Sequence, residues 1–503
     1  MHNGTVITHL LKLCCCTVFL AALGVAEATQ AQDPSSSDWP TIALADLRQI
    51  HATLLEAHPG VIDSQNPPFK NWLEQGYAQA RQLAAQAHSS RDALAVLNFY
   101  LSGFEDGHLW IVAPQQAPSR WAGWTLDMQG EAFRVGHTAA AWPVPLPPLG
   151  STILSCDNKP IEALIRTEIA PYNDRRLQLK SSWSKLARFV TIDHAAYPVL
   201  DRRLPKSCLA RLADGSRREF PLQWQAGGEQ EAMLSQAAPP QSLRSLGQGR
   251  YWIHASNFMP SQAEHAALEQ LLEQIGKIDD ARLVVLDTRG NSGGNSLIGS
   301  QLLFALLGSD AAEHASQESR AYALWRVSPL ALSTLDTRLG SIEKNYGRDS
   351  EIHRFILTLQ ALMQKALVQQ EPWVRQPDAS LDRLTEQVPS GARGFTGRLA
   401  LITDSRCASA CLDFADAVLK VPGTRHLGLP TSADTPYIDI GVKRLPSGAE
   451  FWLPLKVWRN RARGNNQAYE PGLIYDGDIN DTAAVQRWAL EQLEDAGLRA
   501  QTP

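Results

Sequence analysis

A serine at position 409 is framed by small residues in Thr403-Asp-Ser-Arg-Cys-Ala-Ser-Ala-Cys-Leu412. An apolar, strand-like stretch at 399–402 precedes it, and Leu412, Ala415 and Leu419 recur on one helical face after it. A serine held between a buried strand and a helix start lies at the positive end of the helix dipole. Beside it are backbone N–H groups without intrahelical acceptors. A hydrolytic nucleophile needs both exposure and donors for a developing oxyanion. The same pattern also suits a plain N-cap serine.

Two other runs carry chemistry. Leu283-Val-Val-Leu-Asp-Thr-Arg-Gly-Asn-Ser-Gly-Gly-Asn295 reads as a buried strand followed by a glycine-rich turn at a helix start. Such turns present backbone N–H groups to an anion or a polarised carbonyl. This one lacks the Gly-Lys-Ser/Thr ending of a nucleoside-triphosphate loop and the spacing of a dinucleotide fingerprint. Glu105-Asp-Gly-His108 stands ahead of the strand-like Leu109-Trp-Ile-Val112. A histidine at that junction can serve as a general base near neutral pH, or simply as a turn residue.

Together the three runs resemble the C-terminal processing (tail-specific) protease superfamily and its tricorn-core relatives. There, a strand leading to Asp-x-Arg-x-Asn-x-Gly-Gly precedes a strand followed by Ala-Ser-Ala at a helix start. Here those are Asp287-Thr-Arg-Gly-Asn-Ser-Gly-Gly294 and Ala408-Ser-Ala410. Gly249-Arg-Tyr-Trp-Ile-His-Ala-Ser-Asn-Phe258 resembles the strand before the first core helix, and 150–164 resembles the start of a PDZ-like module. The resemblance implies an α/β fold: a ClpP/crotonase-like core with a mixed sheet and helices, an N-terminal helical region and a PDZ-like β-rich insert. It also implies Ser409 as nucleophile, with the N–H groups of Gly293 or Gly294 and of Ala410 as the oxyanion hole.

The sequence departs from the family at one place. Tail-specific proteases activate the serine with a lysine in Gly-x-Pro-Thr-x-Gly-Lys, whereas this chain has Gly428-Leu-Pro-Thr-Ser-Ala-Asp434, 25 residues beyond Ser409. The tricorn-like branch uses a histidine instead, and His108 fits that role. The acid that would orient it is left open among Asp434, Glu470 and Asp106. Asn465 falls nearest the place of the tricorn-type glutamate. Arg459, Arg461 and Arg463 suit either a grip on a substrate carboxylate or a solvated basic strand face.

The elements that must position these residues read as four regions. Residues 1–28 resemble a signal peptide: Lys12, an apolar run at 13–25 too short to span a bilayer, and Ala26-Glu-Ala28 as a cleavage site. Residues 32–115 begin with a polar leader and then read as helical, with Leu44, Leu47, Ile50 and Leu54 in register and a stop at His58-Pro59-Gly60. His51 and His58 read as core or surface histidines rather than ligands. Residues 118–245 read as short β pieces, with a hairpin turn at Ala213-Asp-Gly-Ser216, and 227–247 as a polar linker. Residues 249–490 alternate strands and helices, which predicts a mostly parallel sheet.

Net charge is −5 over 503 residues without a basic stripe, which argues against nucleic acid as a partner. Four cysteines remain after a leader is removed: Cys156, Cys208, Cys407 and Cys411. An oxidising compartment permits disulfides, and a Cys407–Cys411 bridge would stiffen the turn around the serine; buried free thiols are the alternative. The expectation is a periplasmic or secreted serine peptidase acting on peptides or unfolded protein. It needs no cofactor and no metal, and has no integral membrane segment once the signal is removed. The competing expectation is a catalytically inactive peptide- or ligand-binding protein on the same scaffold.

Overall fold

Three helices open the fold: α1 (Trp39–Ala57), α2 (Pro67–Ala84) and α3 (Ser90–Ser102). The computed structural model describes residues 38–114, 118–227, 238–261, 263–316, 321–377 and 395–499. The expected signal peptide therefore lies outside the described residues. In α1, Leu47, Ile50 and Leu54 bury one face, as their spacing requires. The helix ends because His58 precedes Pro59, whose ring disfavours helical backbone in the residue before it; His58 is extended (φ −81°, ψ 129°). Ser89 caps α3 by accepting the Asp92 N–H. A tight turn then leads into β1 (Trp110–Val112).

The next region folds around an antiparallel sheet of Trp124–Gln129, Ala132–Thr138, Thr152–Cys156, Ser207–Arg211 and Arg217–Pro221. Trp124, Leu126, Ile153 and Phe220 join Leu186 and Val190 of α4 (Lys180–Thr191) in a separate core. A disulfide links Cys156 to Cys208 across neighbouring strands. Helix α4 is absent from the sequence reading, because its polar first turn, Lys-Ser-Ser, hides the short apolar face that follows.

The site is carried by a six-stranded sheet. Its order is β2 (Ser242–Gly247), β3 (Arg250–His254), β4 (Leu283–Asp287), β5 (Arg398–Thr403), β6 (Arg425–Gly428) and Leu473–Ile474. Only the β2–β3 pair is antiparallel. All five residues of β4 are buried, as expected for a central parallel strand covered on both faces. Val284, Leu286, Leu399 and Leu401 face α5 (His265–Gly276), α6 (Ser296–Leu307) and α7 (Ala410–Val418). Val285, Ala400 and Ile402 face the C-terminal helix Thr482–Arg499 through Val485, Ala489 and Leu493.

Two expectations need correction. Part of the segment read as a linker, Ser242–Gly247, is an edge strand of this sheet. The strands β7 (Tyr437–Arg444) and β8 (Glu450–Arg459) leave the parallel sheet and build an antiparallel one with β1, Tyr322–Arg326 and Trp373–Arg375. The reason is the tight Leu445–Ala449 turn, which folds the chain back as a hairpin. Among the described residues no helix is long and apolar enough to cross a membrane.

Candidate active site

The two motif turns leave the carboxyl ends of adjacent parallel strands β4 and β5, where open α/β sheets place their ligands. After β4, the backbone turns through Gly290, Gly293 and Gly294, all at positive φ. A Cβ on Gly293 would lie 2.7 Å from both the Ala408 carbonyl and the Ser409 Cβ. Only glycine therefore lets the first turn close on the second. Buried Asn291 ties the loop: its Nδ2 donates to the Ala255 carbonyl at 2.6 Å, and its Oδ1 accepts the Gly293 N–H at 2.9 Å. The Gly290 N–H donates to Asp404 Oδ2 at 2.9 Å, joining the turns directly.

Ser409 occupies the N-cap of α7 at φ 54°, ψ −123°, and its side chain makes no capping bond. A non-glycine residue held there costs on the order of 1–3 kcal/mol, so the surroundings must fix it. They do so in two ways. Cys407 and Cys411 form a disulfide that brackets the serine, and the Ser409 N–H donates to Asp434 Oδ2 at 2.5 Å. The hydroxyl is left to the cleft.

His108 arrives from the other end of the chain. β1 pairs with β8, Trp110 opposite Trp452, and the two indoles stack at 5.3 Å. That register sets His108 Nε2 3.3 Å from Ser409 Oγ, across 301 residues of sequence. The His108 N–H donates to Asp106 Oδ1 at 2.9 Å, and the ring's Nδ1 lies 3.7 Å from the same oxygen. Burial pushes the Asp106 carboxyl up, but the rings of His58 and His108 and the His108 N–H outweigh it and the net direction is down.

Among the sequence-predicted residues, Ser409, His108, Gly293, Gly294 and Ala410 meet at one end of the sheet. The Gly293 N–H is engaged by Asn291, whereas Ala410 opens α7 and so has no intrahelical acceptor for its N–H. The sequence leaves the orienting acid open among three carboxylates, and the geometry separates them. The Asp434 carboxylate holds the serine's backbone, and the carboxylate beside the imidazole is Asp106. Glu470 is exposed and its ion-pair partner is Lys180 at 3.9 Å. The three arginines are engaged by acids of the chain rather than forming a solvated face. Arg459 pairs with Asp63, while Arg461 and Arg463 bind Asp413 and Asp416 on α7.

Residues missed from the sequence include Asn291, Arg176 and His58. Arg176 pairs with Asp174 and donates to the Ala433 carbonyl at 2.7 Å, bracing the loop that carries Asp434. The site opens into a cleft of about 1640 Å³ whose lining includes the apolar Trp110, Met259 and Leu268 and the basic Lys185 and Arg188.

Comparison with family models and with curated proteins finds no match. Solved structures do match. Mature CPAF complexed with lactacystin superposes with a TM-score of 0.61 at 14% identity, over 88% of this chain and 96% of that one. Mature CPAF without it gives 0.61 at 13% identity, over 88% and 95%. This chain has the CPAF fold. The photosystem II D1 C-terminal processing protease aligns over 88% of this chain and 94% of its own at 12% identity, with a TM-score of 0.37.

Proposed function

We propose that this protein is an exported serine peptidase in which Ser409 attacks the peptide carbonyl and His108, rather than a lysine, takes its proton. The observation that carries the reading is the 3.3 Å approach of His108 Nε2 to Ser409 Oγ. That distance is within reach of the tightening expected when substrate binds. The proton passes from Oγ to Nε2 as the new C–O bond forms. The carbonyl oxygen, now negative, receives the N–H groups of Ala410 and Gly294. Collapse breaks the C–N bond, and the imidazolium gives its proton to the leaving amine. Water then attacks the acyl-serine with His108 again as base, releasing the acid and restoring the hydroxyl.

Asp106, rather than Asp434, is the acid that faces the imidazolium in this scheme. Asp434 occupies the family's lysine position and fixes the serine's main chain. The two disulfides support an oxidising, extracytoplasmic setting. The antiparallel insert around Thr152–Cys156 fits a PDZ-like module that delivers peptide ends to the cleft.

A fluorophosphonate probe tests the reading. The native chain should label and should cleave fluorescein-labelled casein, and Ser409→Ala should do neither while unfolding at a similar temperature. Labelling that persists in Ser409→Ala sinks the assignment. A native chain that binds peptide but neither labels nor cleaves establishes the inactive-scaffold alternative.

A further inference from the structure

Behind Asp106 lies a second histidine. His58 is completely buried at the end of α1, stacked on Phe69 at 4.4 Å and edge-on to Tyr437 at 5.0 Å. Its Nδ1 accepts the Gly60 N–H at 2.9 Å. A nitrogen that accepts carries no proton, so in the neutral ring the hydrogen sits on Nε2. That nitrogen faces Asp106 Oδ2 at 3.8 Å.

Three buried polar atoms here have no hydrogen-bond partner among the described residues: His58 Nε2, Asp106 Oδ2 and His108 Nδ1. Buried polar atoms left unpaired cost on the order of 1–3 kcal/mol each, so a run of them calls for an explanation. The two ring nitrogens face opposite oxygens of one carboxylate: His58 Nε2 lies 3.8 Å from Asp106 Oδ2, and His108 Nδ1 lies 3.7 Å from Oδ1. A closure of less than 1 Å at each gap makes two hydrogen bonds through Asp106, the second ending at the base.

We infer that His58 is a positioning residue for the proposed hydrolysis: its Nε2–H holds Asp106 so that the carboxylate faces His108. This rests on the Ser409–His108 reading. The charged groups near His58 are Asp106 and Asp63, and Asp63 is already occupied by Arg459 and Tyr437. Burial pushes the His58 ring down despite the pull of Asp106, which keeps it neutral and its single donor available. A neutral donor anchors a carboxylate without cancelling its charge, whereas an arginine there would compete with the imidazolium for it.

Two substitutions separate anchoring from structure. In His58→Asn the amide reaches the Nδ1 position, so it can still cap Gly60 but cannot reach Asp106. In His58→Gln the amide nitrogen falls near Nε2 and can still donate to Asp106. The readouts are the rate of Ser409 labelling by a fluorophosphonate probe from pH 5 to 9 and the thermal midpoint. His58→Asn should label about tenfold to a hundredfold more slowly, with its acid limb moved to lower pH because the imidazolium loses its partner. His58→Gln should keep the native limb and most of the rate.

Equal loss in both variants, or a native rate and limb in His58→Asn, overturns the inference while Ser409 continues to label. Should His58→Asn fail to fold, the limb of His58→Gln decides alone, since a shift there contradicts donation from that position. Failure of the serine reading itself shows differently, as labelling that survives Ser409→Ala.

Discussion

Two buried aspartates among the described residues stand beside histidines, Asp287 and Asp106, and their surroundings differ. Behind the glycine turn, Asp287 has both oxygens taken. Arg289 donates to it through its backbone N–H and two guanidinium nitrogens, Trp252 Nε1 donates at 3.1 Å, and His254 Nδ1 lies 3.1 Å away. At the cleft, Asp106 receives one backbone N–H, and its other oxygen has no partner at hydrogen-bonding distance. Asp287 is neutralised by a buried arginine and accepts hydrogen bonds at both oxygens. Among the described residues Asp106 has no arginine hydrogen-bonded to it, Arg176 acting only through its field, and its Oδ1 faces a histidine that meets the serine. A carboxylate saturated with donors is scaffolding, whereas one with an oxygen still unpaired retains a field to offer a developing imidazolium.

Exchanging asparagine for each aspartate breaks the comparison if it is wrong. Asp106→Asn should lower kcat on casein by about 10³–10⁴-fold, as loss of the acid from a serine–histidine site does, with little change in unfolding temperature. Asp287→Asn should do the opposite. Leaving Arg289 buried without its charge partner should cost about 3–5 kcal/mol in denaturant unfolding, while the molecules that remain folded cleave within a few-fold of native. Equal activity loss in the two variants would erase the distinction.

Acid sharpens it further. Burial raises the Asp287 carboxyl, but His254 and Arg289 outweigh that and hold it at about 2, against an ordinary value of 3.8. Its stabilisation is therefore complete above the unfolded value and is lost as pH falls from 3.8 toward 2. Asp287→Asn should flatten that part of the acid-unfolding curve. The smallest effect belongs to a third histidine, His426, whose Nε2 lies 2.9 Å from Thr403 Oγ1. Burial pushes this ring from 6.5 to about 4, so the unfolded chain binds the extra proton first. Stability should decline as pH drops from 6.5 toward 4, and His426→Gln should remove that slope from thermal melts.

The parallel strands, the two turns and the serine were legible because each is local. An apolar run, a glycine cluster and a helix start lie within a few residues of one another. His108 gave a weak local signal, a histidine before a strand, which the resemblance strengthened. Its approach to Ser409 depends on the β1–β8 register, which no short window contains. The role of Asp434 stayed open for a related reason. A carboxylate 25 residues past the serine can reach either the serine's N–H or the imidazole, and loop geometry alone decides between them. His58 gave a weak local signal, a histidine before Pro-Gly at a helix end. Its Asp106 partner, however, comes from a turn forty-eight residues later. The arginines of 459–463 looked available because the acids that occupy them, Asp63, Asp413 and Asp416, lie on other elements.

The seating of His108 by a strand near the end of the chain bears on biosynthesis. Translation delivers the histidine early, the serine 301 residues later, and β8, which aligns the two, later still. A growing chain thus carries the parts of the site without the site until nearly the whole described fold exists. Truncation between residues 410 and 449 would leave Ser409 without a seated His108. For the peptidase proposed above, this order of assembly would act as a completion check that keeps unfinished copies from cutting themselves or their neighbours.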